Sequence, residues 1–402
     1  MPPCLVLGLS AAPPPARRAP MSPHCAASVD VVVVGAGLSG LSVASALCAR
    51  GAAVALLEAR PRVGGRLLTH TSSSAASPSD GGGALDLGAT WRWPGESRVA
   101  ALVQALGLPS FPHFERGDAL AEGPAGAPQR LRESGVMGGP ARFGGGTASL
   151  AAALAERLPP GVLRLSTPVE RIACADAGVG LEVACVDGSV FAASAAVVVA
   201  LPPALAAATL AFAPPLPPAL AAAAAGTSTH MGGCAKTVVR YATPFWRDAG
   251  LSGAAFSRRG PLSEVHDHSG PGGSPAALLG FSAGGAPARE ALLAQLVRLF
   301  GPAAAQPLEV TTLDWAAERY TAVPPGSPPQ TRPMGGPEFA PGAACAAMGG
   351  RLLWAATETA ETHAGHMEGA LAAAERTVRA VEALLPPSSQ IKRGGGGQAA
   401  RA

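Results

Sequence analysis

Read for the spacing of apolar and polar positions, the chain divides into short β-branched runs, amphipathic stretches and long interruptions rich in glycine and proline. Ser28–Val34 is an apolar run ending at a glycine, the pattern of a strand buried on both faces. Leu38–Arg50 has apolar residues at helical spacing, with Gly51 where a helix turns left-handed at its end. Ala53–Leu57 predicts a second buried strand, so the three make a βαβ unit. Thr147–Leu158 reads as a helix stopped by Pro159-Pro160-Gly161, and Val162–Leu165 as a short strand. Leu181–Val186 and Ser189–Ala192 flank Asp187-Gly188 and predict a hairpin. Ala196–Leu201 and Arg351–Ala356 predict further buried strands, and Lys236–Tyr241 an alternating one. Glu290–Phe300 and Gly365–Leu385 have helical periodicity, the second ended by Pro386-Pro387. Thr71–Gly83 and Pro324–Pro341 read as loops; Gly95–Gly146 is weakly patterned, with short helical pieces such as Arg98–Leu106.

Composition narrows the class without naming the function. The 402 residues carry Lys+Arg 30 against Asp+Glu 27, too balanced for an electrostatic nucleic-acid binder. Gly 51 and Pro 40 stay short of a low-complexity chain. No charged residue occurs between Gly188 and Ala235, but the pairs Pro202-Pro203, Pro214-Pro215 and Pro217-Pro218 break this stretch, which excludes a membrane span. It reads instead as a buried strand, a loop and an Ala-rich helix. Seven cysteines without a C-x-x-C indicate neither zinc nor a disulfide framework, and suit a reducing compartment. Residues 1–28 hold no acid, carry Arg17 and Arg18, and read either as an organellar transit peptide or as an unstructured extension with Met21 as an alternative start. Leu5–Leu9 is too short for a secretory signal, so the expected location is cytoplasm or plastid. Residues 389–402 read as a disordered, Gly-rich tail.

Chemistry enters at Gly35-Ala36-Gly37-Leu38-Ser39-Gly40, a G-x-G-x-x-G between strand and helix. Gly35 permits the tight turn, Gly37 lets backbone amides approach a pyrophosphate, and Gly40 allows close helix–strand packing. The anion then meets free N–H groups at a helix N-terminus. Glu58 follows 23 residues after Gly35, ending the second strand, where an acid accepts hydrogen bonds from ribose hydroxyls. An acid there disfavours a 2′-phosphate, so the reading is FAD or NAD rather than NADP.

Directly after it, Glu58-Ala59-Arg60-Pro61-Arg62-Val63-Gly64-Gly65-Arg66 resembles the flavin-containing amine oxidases, the group that includes monoamine and polyamine oxidases. The resemblance implies that Gly64 and Gly65 bring backbone close to FAD and that Arg66 sits near its pyrophosphate. Further blocks follow in order. Leu87-Gly88-Ala89-Thr90-Trp91 is similar to the segment that runs past the flavin ring. Thr167–Ile172, with Val169 touching the adenosine part through its backbone, is similar to the second FAD segment. Gly232–Tyr241 with Pro244–Arg247, and Leu313-Asp314-Trp315 with Glu318-Arg319-Tyr320, resemble substrate-domain blocks. Trp354–Thr359 and Ala364–Ala370 resemble the C-terminal FAD signature. The resemblance spans about 29–385. It implies that Glu358 meets the ribityl or phosphate region, and that a helix beginning near Gly365 and Met367, capped by Thr362, aims its positive end at the pyrimidine side of the flavin.

Two residues are candidates for catalysis. In the family the lysine matching Lys236 holds a water near the flavin and assists reoxidation by oxygen; spacing alone would make Lys236 a solvated strand lysine. His366 stands where many members have a tyrosine of an aromatic cage, and reads either as a stacking or proton-accepting group or as a plain helix-start histidine. Trp91 and Trp315 line the substrate cavity or pack in the core. His266, Asp267 and His268 look like a metal cluster, but neighbours on an extended segment point opposite ways, so no metal is expected. The chain departs from the family after Tyr320-Thr321: the block that carries the second cage tyrosine, and in some members the cysteine linked to FAD, is missing, so FAD is expected to be noncovalent and the cavity more open.

The expected fold is therefore α/β: a Rossmann-like FAD domain made of 29–95, 145–205 and 345–388, and a smaller α+β substrate domain made of 96–144 and 206–344. The expected reaction is oxidation of a small amine with molecular oxygen, giving imine, then aldehyde, and hydrogen peroxide. A desaturase or porphyrinogen-type oxidase on the same scaffold, or a non-catalytic flavoprotein, are the alternatives.

Overall fold

Val31–Val34 alternate between two hydrophobic layers, and this places their strand at the centre of the protein. In the computed structural model, which describes residues 5–6, 27–71, 83–132, 135–175, 180–340 and 348–385, Val31 and Val33 pack on one side and Val32 and Val34 on the other. The strand is Ala27–Val34, and it lies parallel to Val54–Leu57, which in turn lies parallel to Leu163–Arg164. On its other side runs Val190–Val199, also parallel. Sequence reading splits that last strand into Ser189–Ala192 and Ala196–Leu201. The structure makes it one strand with a register irregularity between Ala193 and Ala196. The small residues at the irregularity give no periodic signal to bridge the halves.

On its other edge this strand has two partners in succession. Its first half pairs antiparallel with Leu181–Cys185, closing the hairpin expected at Asp187-Gly188, while Val197–Val199 pair parallel with Leu352–Trp354. A C-terminal segment is thus built into the sheet beside the N-terminal one. The helices Leu38–Ala49, Ala148–Glu156 and Met367–Glu382 cover one face. The sheet continues beyond the hairpin with Val169–Cys174 and the edge strand Ala211–Ala213, and its other face carries the Ala-rich stretch, which forms two helices, Pro203–Thr209 and Pro218–Gly226, on either side of that edge strand. Both begin with proline, whose missing N–H costs nothing in a first turn.

The second sheet runs in the order Leu5–Val6, Glu309–Asp314, Cys234–Tyr241, Ala276–Ala283, Glu264–Asp267, Leu251–Ser257, Asp118–Glu122, Gln129–Leu131. Its middle is antiparallel. Strand alternation decides which residues face the first sheet. Val239 and Tyr241 turn towards the helix Arg289–Phe300, and Val238 turns the other way, towards Leu85, Leu87 and Trp315. Lys236 has the parity of Val238, and so faces the space between the sheets.

Several strands had no sequence forecast. The 96–144 segment holds the helix Ser97–Leu106, but also Ser110–Pro112, Asp118–Glu122, Gln129–Leu131 and Ala141–Phe143, each too short to show a period. Of the expected N-terminal extension, Leu5–Val6 pairs with Thr311–Thr312 and Ala27–Ser28 already belongs to the first long strand. The rest of it, most of the 71–83 loop and the 389–402 tail lie outside the described residues. No helix among the described residues is long and apolar enough to cross a membrane.

Candidate active site

A single cavity of about 650 Å³ runs between the two sheets, from Gly35 and Gly37 at one end to Trp91, Lys236 and Phe281 at the other. At the glycine end the structure explains each residue of the turn. Gly35 has φ +102°, open to glycine and strained for other residues. A Cβ on Gly40 would lie 1.9 Å from the Gly35 carbonyl oxygen, so helix and strand could not approach as they do. A Cβ on Gly37 would meet nothing nearer than the Gly64 carbonyl at 4.0 Å, and Gly37 faces the cavity. The helix Leu38–Ala49 has no side-chain cap and no acid in its first turn. Its N–H groups and dipole are left for an anion. Glu58 is buried and accepts hydrogen bonds from the N–H of Ala36 (2.7 Å) and of Arg60 (2.9 Å). It therefore fixes the turn while also lining the cavity.

Midway along, Arg66 and Glu358 form a bidentate pair. Arg66 Nη1 lies 2.5 Å from Glu358 Oε1 and Nη2 lies 3.0 Å from Oε2. Sequence reading gave the two residues separate contacts with a cofactor; the structure joins them across the cavity wall. Arg66 also donates to the His230 carbonyl, and the His230 N–H donates to Glu358 Oε1. Burial, with Arg66 and His366 adding to it, pushes the His230 imidazole down to about 4.

The C-terminal helix begins at Met367, and its N-cap is His366. Thr357, not Thr362, orders its approach: Thr357 Oγ1 accepts from the Gly365 N–H at 3.0 Å and donates to the His366 carbonyl at 2.7 Å. The His366 side chain donates from Nδ1 to Glu96 Oε1 at 3.0 Å. Glu96 is buried, and its hydrogen bond raises the proton affinity of His366.

At the far end Lys236 is 2% exposed, not solvated. Its Nζ donates to the Gly88 carbonyl at 2.5 Å and to Thr90 Oγ1, and lies within 6 Å of the Trp91 and Phe281 ring centres. Burial pushes its amine down to about 7; Asp86 pulls it back up and Arg142 pushes it further down. Behind it lies a buried polar chamber. Asp86 Oδ1 accepts from Thr69 Oγ1, the Thr147 N–H and Thr147 Oγ1, and the Asp86 N–H donates to His268 Nε2. Burial raises the Asp86 carboxyl, opposed by Lys236 and Arg142. Arg142 is itself buried and donates to the Ser269 carbonyl at 2.6 Å. Trp91 Nε1 donates to His113 Nδ1, and its ring meets His266 edge-on at 5.3 Å between centroids. Burial, then Arg142, pushes His113 down to about 3.

Most residues singled out from sequence converge on this cavity. Gly35, Gly37, Leu38, Ser39, Glu58, Ala59, Gly65, Arg66, Gly88, Ala89, Thr90, Trp91, Val169, Lys236, Gly365, His366 and Met367 line it. Ala36, Gly40 and Glu358 stand behind the lining and hold it in shape. Trp315 does both things foreseen for it: it lines the cavity and is buried, its Nε1 donating to the Leu87 carbonyl at 2.9 Å. His266 and His268 turn towards Trp91 and Asp86, whereas Asp267 turns away to Arg247 and Trp246. No group of three metal-ligating side chains forms among the described residues.

Sequence reading missed Asp86, Glu96, His113 and Arg142. Glu96, His113 and Arg142 come from the weakly patterned stretch 95–146, and the partners His366, Trp91 and His268 lie outside it. The one available signal was the acid at 86 immediately before the matched block Leu87–Trp91.

The family model for flavin-containing amine oxidoreductases matches residues 38–126 and 121–382. A Mycobacterium tuberculosis protein that bears the name flavin-containing monoamine oxidase AofH is 29% identical over 472 aligned residues, covering 89% of this chain and 97% of that protein. Putrescine oxidase of Kocuria rosea is 41% identical over 97 residues, covering 24% of this chain and 19% of that one. Among solved structures, putrescine oxidase bound to putrescine superimposes with a TM-score of 0.75 at 22% identity, covering 89% of this chain and 100% of that one. Cyclohexylamine oxidase from Brevibacterium oxydans IH-35A does so with 0.74 at 23%, covering 89% and 99%. These two show the shared α/β fold. With a family match over most of its length, the chain belongs to the flavin-containing amine oxidoreductases.

Proposed function

We propose that the flavin of this oxidoreductase is FAD, held noncovalently, and that the substrate is a small amine oxidised at its α-carbon with molecular oxygen as acceptor. One observation carries the reading: a continuous cavity joins an uncapped helix N-terminus at Gly37 to a buried lysine among aromatic rings. The residues present suit an extended dinucleotide. Gly37 leaves room at the helix end for a pyrophosphate, Arg66 faces the middle, and Val169 and Glu58 line the end where a ribose and adenine belong. After Thr321 the chain runs straight to Ala322-Val323-Pro324-Pro325-Gly326, without the block in which some members carry the FAD-linked cysteine, which supports a noncovalent group.

The chemistry a bound FAD supplies is acceptance of a hydride from the amine's α-carbon and return of two electrons to oxygen, so that the imine hydrolyses to an aldehyde and oxygen leaves as hydrogen peroxide. The protein's part is positioning and electrostatics. Trp91, Trp93 and Phe281 make an apolar wall that excludes water from the reacting carbon. Lys236, fixed by Gly88 and Thr90, supplies positive charge towards which negative charge on oxygen develops.

The test is to purify the protein with FAD and follow flavin bleaching without oxygen against a panel of amines, carotenoid precursors and porphyrinogens, then admit oxygen and assay peroxide. Bleaching by amines followed by peroxide is the expected result. Bleaching by carotenoid or porphyrin precursors alone transfers the scaffold to another reaction. Protein that stays colourless after reconstitution removes the enzyme reading.

A further inference from the structure

The imidazole of His366 is 41% exposed, lines the cavity, and gives its Nδ1–H to the carboxylate of Glu96. A carboxylate can only accept here, so the bond fixes the tautomer and leaves the Nε2 lone pair unengaged by any described residue. Glu96 is held as a support should be. It is 2% exposed, its Oε2 accepts from the Trp93 N–H at 2.9 Å, and it starts the helix Ser97–Leu106. That helix is tied to the C-terminal helix by Glu368, which accepts from the Arg98 and Val99 N–H groups. The two elements that carry the pair are thus locked together across 270 residues of sequence.

The other titratable groups around His366 do not take over this role. The His230 ring lies 5.9 Å away and is kept neutral by burial, and the His363 ring lies 6.4 Å away. Arg66 is neutralised by Glu358, and Glu368 by Arg98. Lys236 is committed to Gly88 and Thr90.

We propose that His366, oriented by Glu96, is the base that takes the proton from the substrate's ammonium within the cavity. An amine arrives mainly as R–CH₂–NH₃⁺, and hydride loss from its α-carbon requires the nitrogen lone pair. One N–H bond of the ammonium breaks, its proton forms a bond with His366 Nε2, and the electron pair stays on the amine nitrogen. The negative Glu96 stabilises the imidazolium produced. Loss of water around the ammonium as it enters the cavity narrows the gap in proton affinity. The imidazole, 41% exposed, then releases that proton from Nε2 to solvent. His366 is the catalytic residue in this step, and Glu96 is a positioning residue.

This inference rests on the amine-oxidising reading, and the experiment separates the two. The rate of anaerobic flavin reduction by an amine that bleaches the wild type is measured against pH in wild type, Glu96→Gln, Glu96→Asp and His366→Asn. The acid limb of the wild type reports His366. Glu96→Gln should move that limb to lower pH and slow reduction by about tenfold or more at neutral pH. Glu96→Asp should restore part of the rate, His366→Asn should abolish the limb, and reoxidation by oxygen should be unchanged in all three. Independently of turnover, the His366 imidazole resonance, assigned by its loss in His366→Asn, should titrate above 6.5 in the wild type and lower in Glu96→Gln. Asparagine is a good helix N-cap, so His366→Asn should fold even if Glu96→Gln does not. An unmoved acid limb, or an imidazole that titrates below 6.5 in the wild type, overturns the base assignment alone. A wild type that no amine bleaches overturns the amine reading and the assignment with it.

Discussion

The two ends of the cavity are built by opposite means. At the glycine end the functional atoms are backbone N–H groups, and the side chains are defined by their absence: a Cβ on Gly40 would collide with the Gly35 carbonyl. Local sequence suffices there, because strand, turn and helix are consecutive. At the lysine end the functional groups are buried and charged. Lys236, Asp86 and Arg142 reach one chamber from separate strands and loops; Asp86 and Arg142 shift Lys236, and Lys236 and Arg142 shift Asp86. One end tolerates no added atoms; the other tolerates no unbalanced charge. Substitutions should therefore fail sterically at the first and electrostatically at the second.

The largest effect is expected at Gly40. Gly40→Val places carbon against the Gly35 and Ala200 backbone and side chain, at a contact where neither helix nor strand can yield. The overpacking should cost roughly 3 kcal/mol or more and leave little soluble, yellow protein. Gly37→Ala is the counterpart. Its backbone sits in the extended region (φ −73°, ψ −179°) and its Cβ would meet open space, so urea unfolding of the flavin-free protein should be unchanged. FAD affinity should instead fall by about tenfold or more, about 1.4 kcal/mol, by flavin titration. Equal loss of stability in both variants would break the distinction between a packing glycine and a binding one.

The same contrast explains what could be read beforehand. The G-x-G-x-x-G turn, Glu58 and Gly64-Gly65-Arg66 are legible because their geometry is set within a few residues. Lys236 is legible as a position, through its block, but not as a buried group: its burial depends on strand parity in a sheet whose strands Leu251–Ser257, Glu264–Asp267 and Ala276–Ala283 gave no forecast. Those strands are broken by glycine, serine and histidine, and their apolar faces emerge only after pairing. Glu96 and Arg142 were illegible for a stronger reason. Their chemistry is defined by partners, His366 for one and His268 and Ser269 for the other, that no local pattern links to them.

At the lysine end, Asp86→Ala should cost about 3–5 kcal/mol in urea unfolding, the penalty for leaving buried cations uncompensated and the Thr147 N–H unpaired. Asp86→Asn keeps the oxygen that accepts from Thr69 and Thr147 and should cost less than half as much. Burial raises the Asp86 pKa in the folded state, so its contribution to stability is fullest below the ordinary carboxyl range and is lost as pH rises. The asparagine variant should lose that slope. A slope that survives would assign it to another group.

Lys236→Met tests function rather than folding. Removing a fixed positive charge should slow reoxidation by about 10²–10³-fold, with a smaller effect on anaerobic reduction. Equal slowing of both half-reactions would count against the assigned role. In the wild type the oxygen step should weaken as pH rises through about 7, where Lys236 loses its proton, and the methionine variant should be flat there. The sign for stability is the reverse of that for Asp86. A lysine whose folded pKa lies below its ordinary 10.5 opposes folding most below pH 7 and ceases to do so above 10.5. The difference between variant and wild type should therefore favour the variant more at pH 6 than at pH 10.

A smaller effect than those at Gly40 and Asp86 is expected between the two ends, at Thr357. Its hydroxyl accepts from the Gly365 N–H and donates to the His366 carbonyl, so one buried oxygen sets where the last helix begins and where its histidine stands. Gly365 needs the freedom of glycine, with φ +89°, and a Cβ on Gly369 would lie 2.9 Å from the same hydroxyl, so the turn has one way to close. Thr357→Val preserves the shape and deletes both hydrogen bonds, which should cost about 1–2 kcal/mol in urea unfolding. The hydrogen bonds of Lys236 go to Gly88 and Thr90, so the oxygen step should hold. The rate of anaerobic reduction should fall, because His366 is displaced from its bond with Glu96. An unchanged rate of anaerobic reduction in this variant would show that the turn does not set the position of His366.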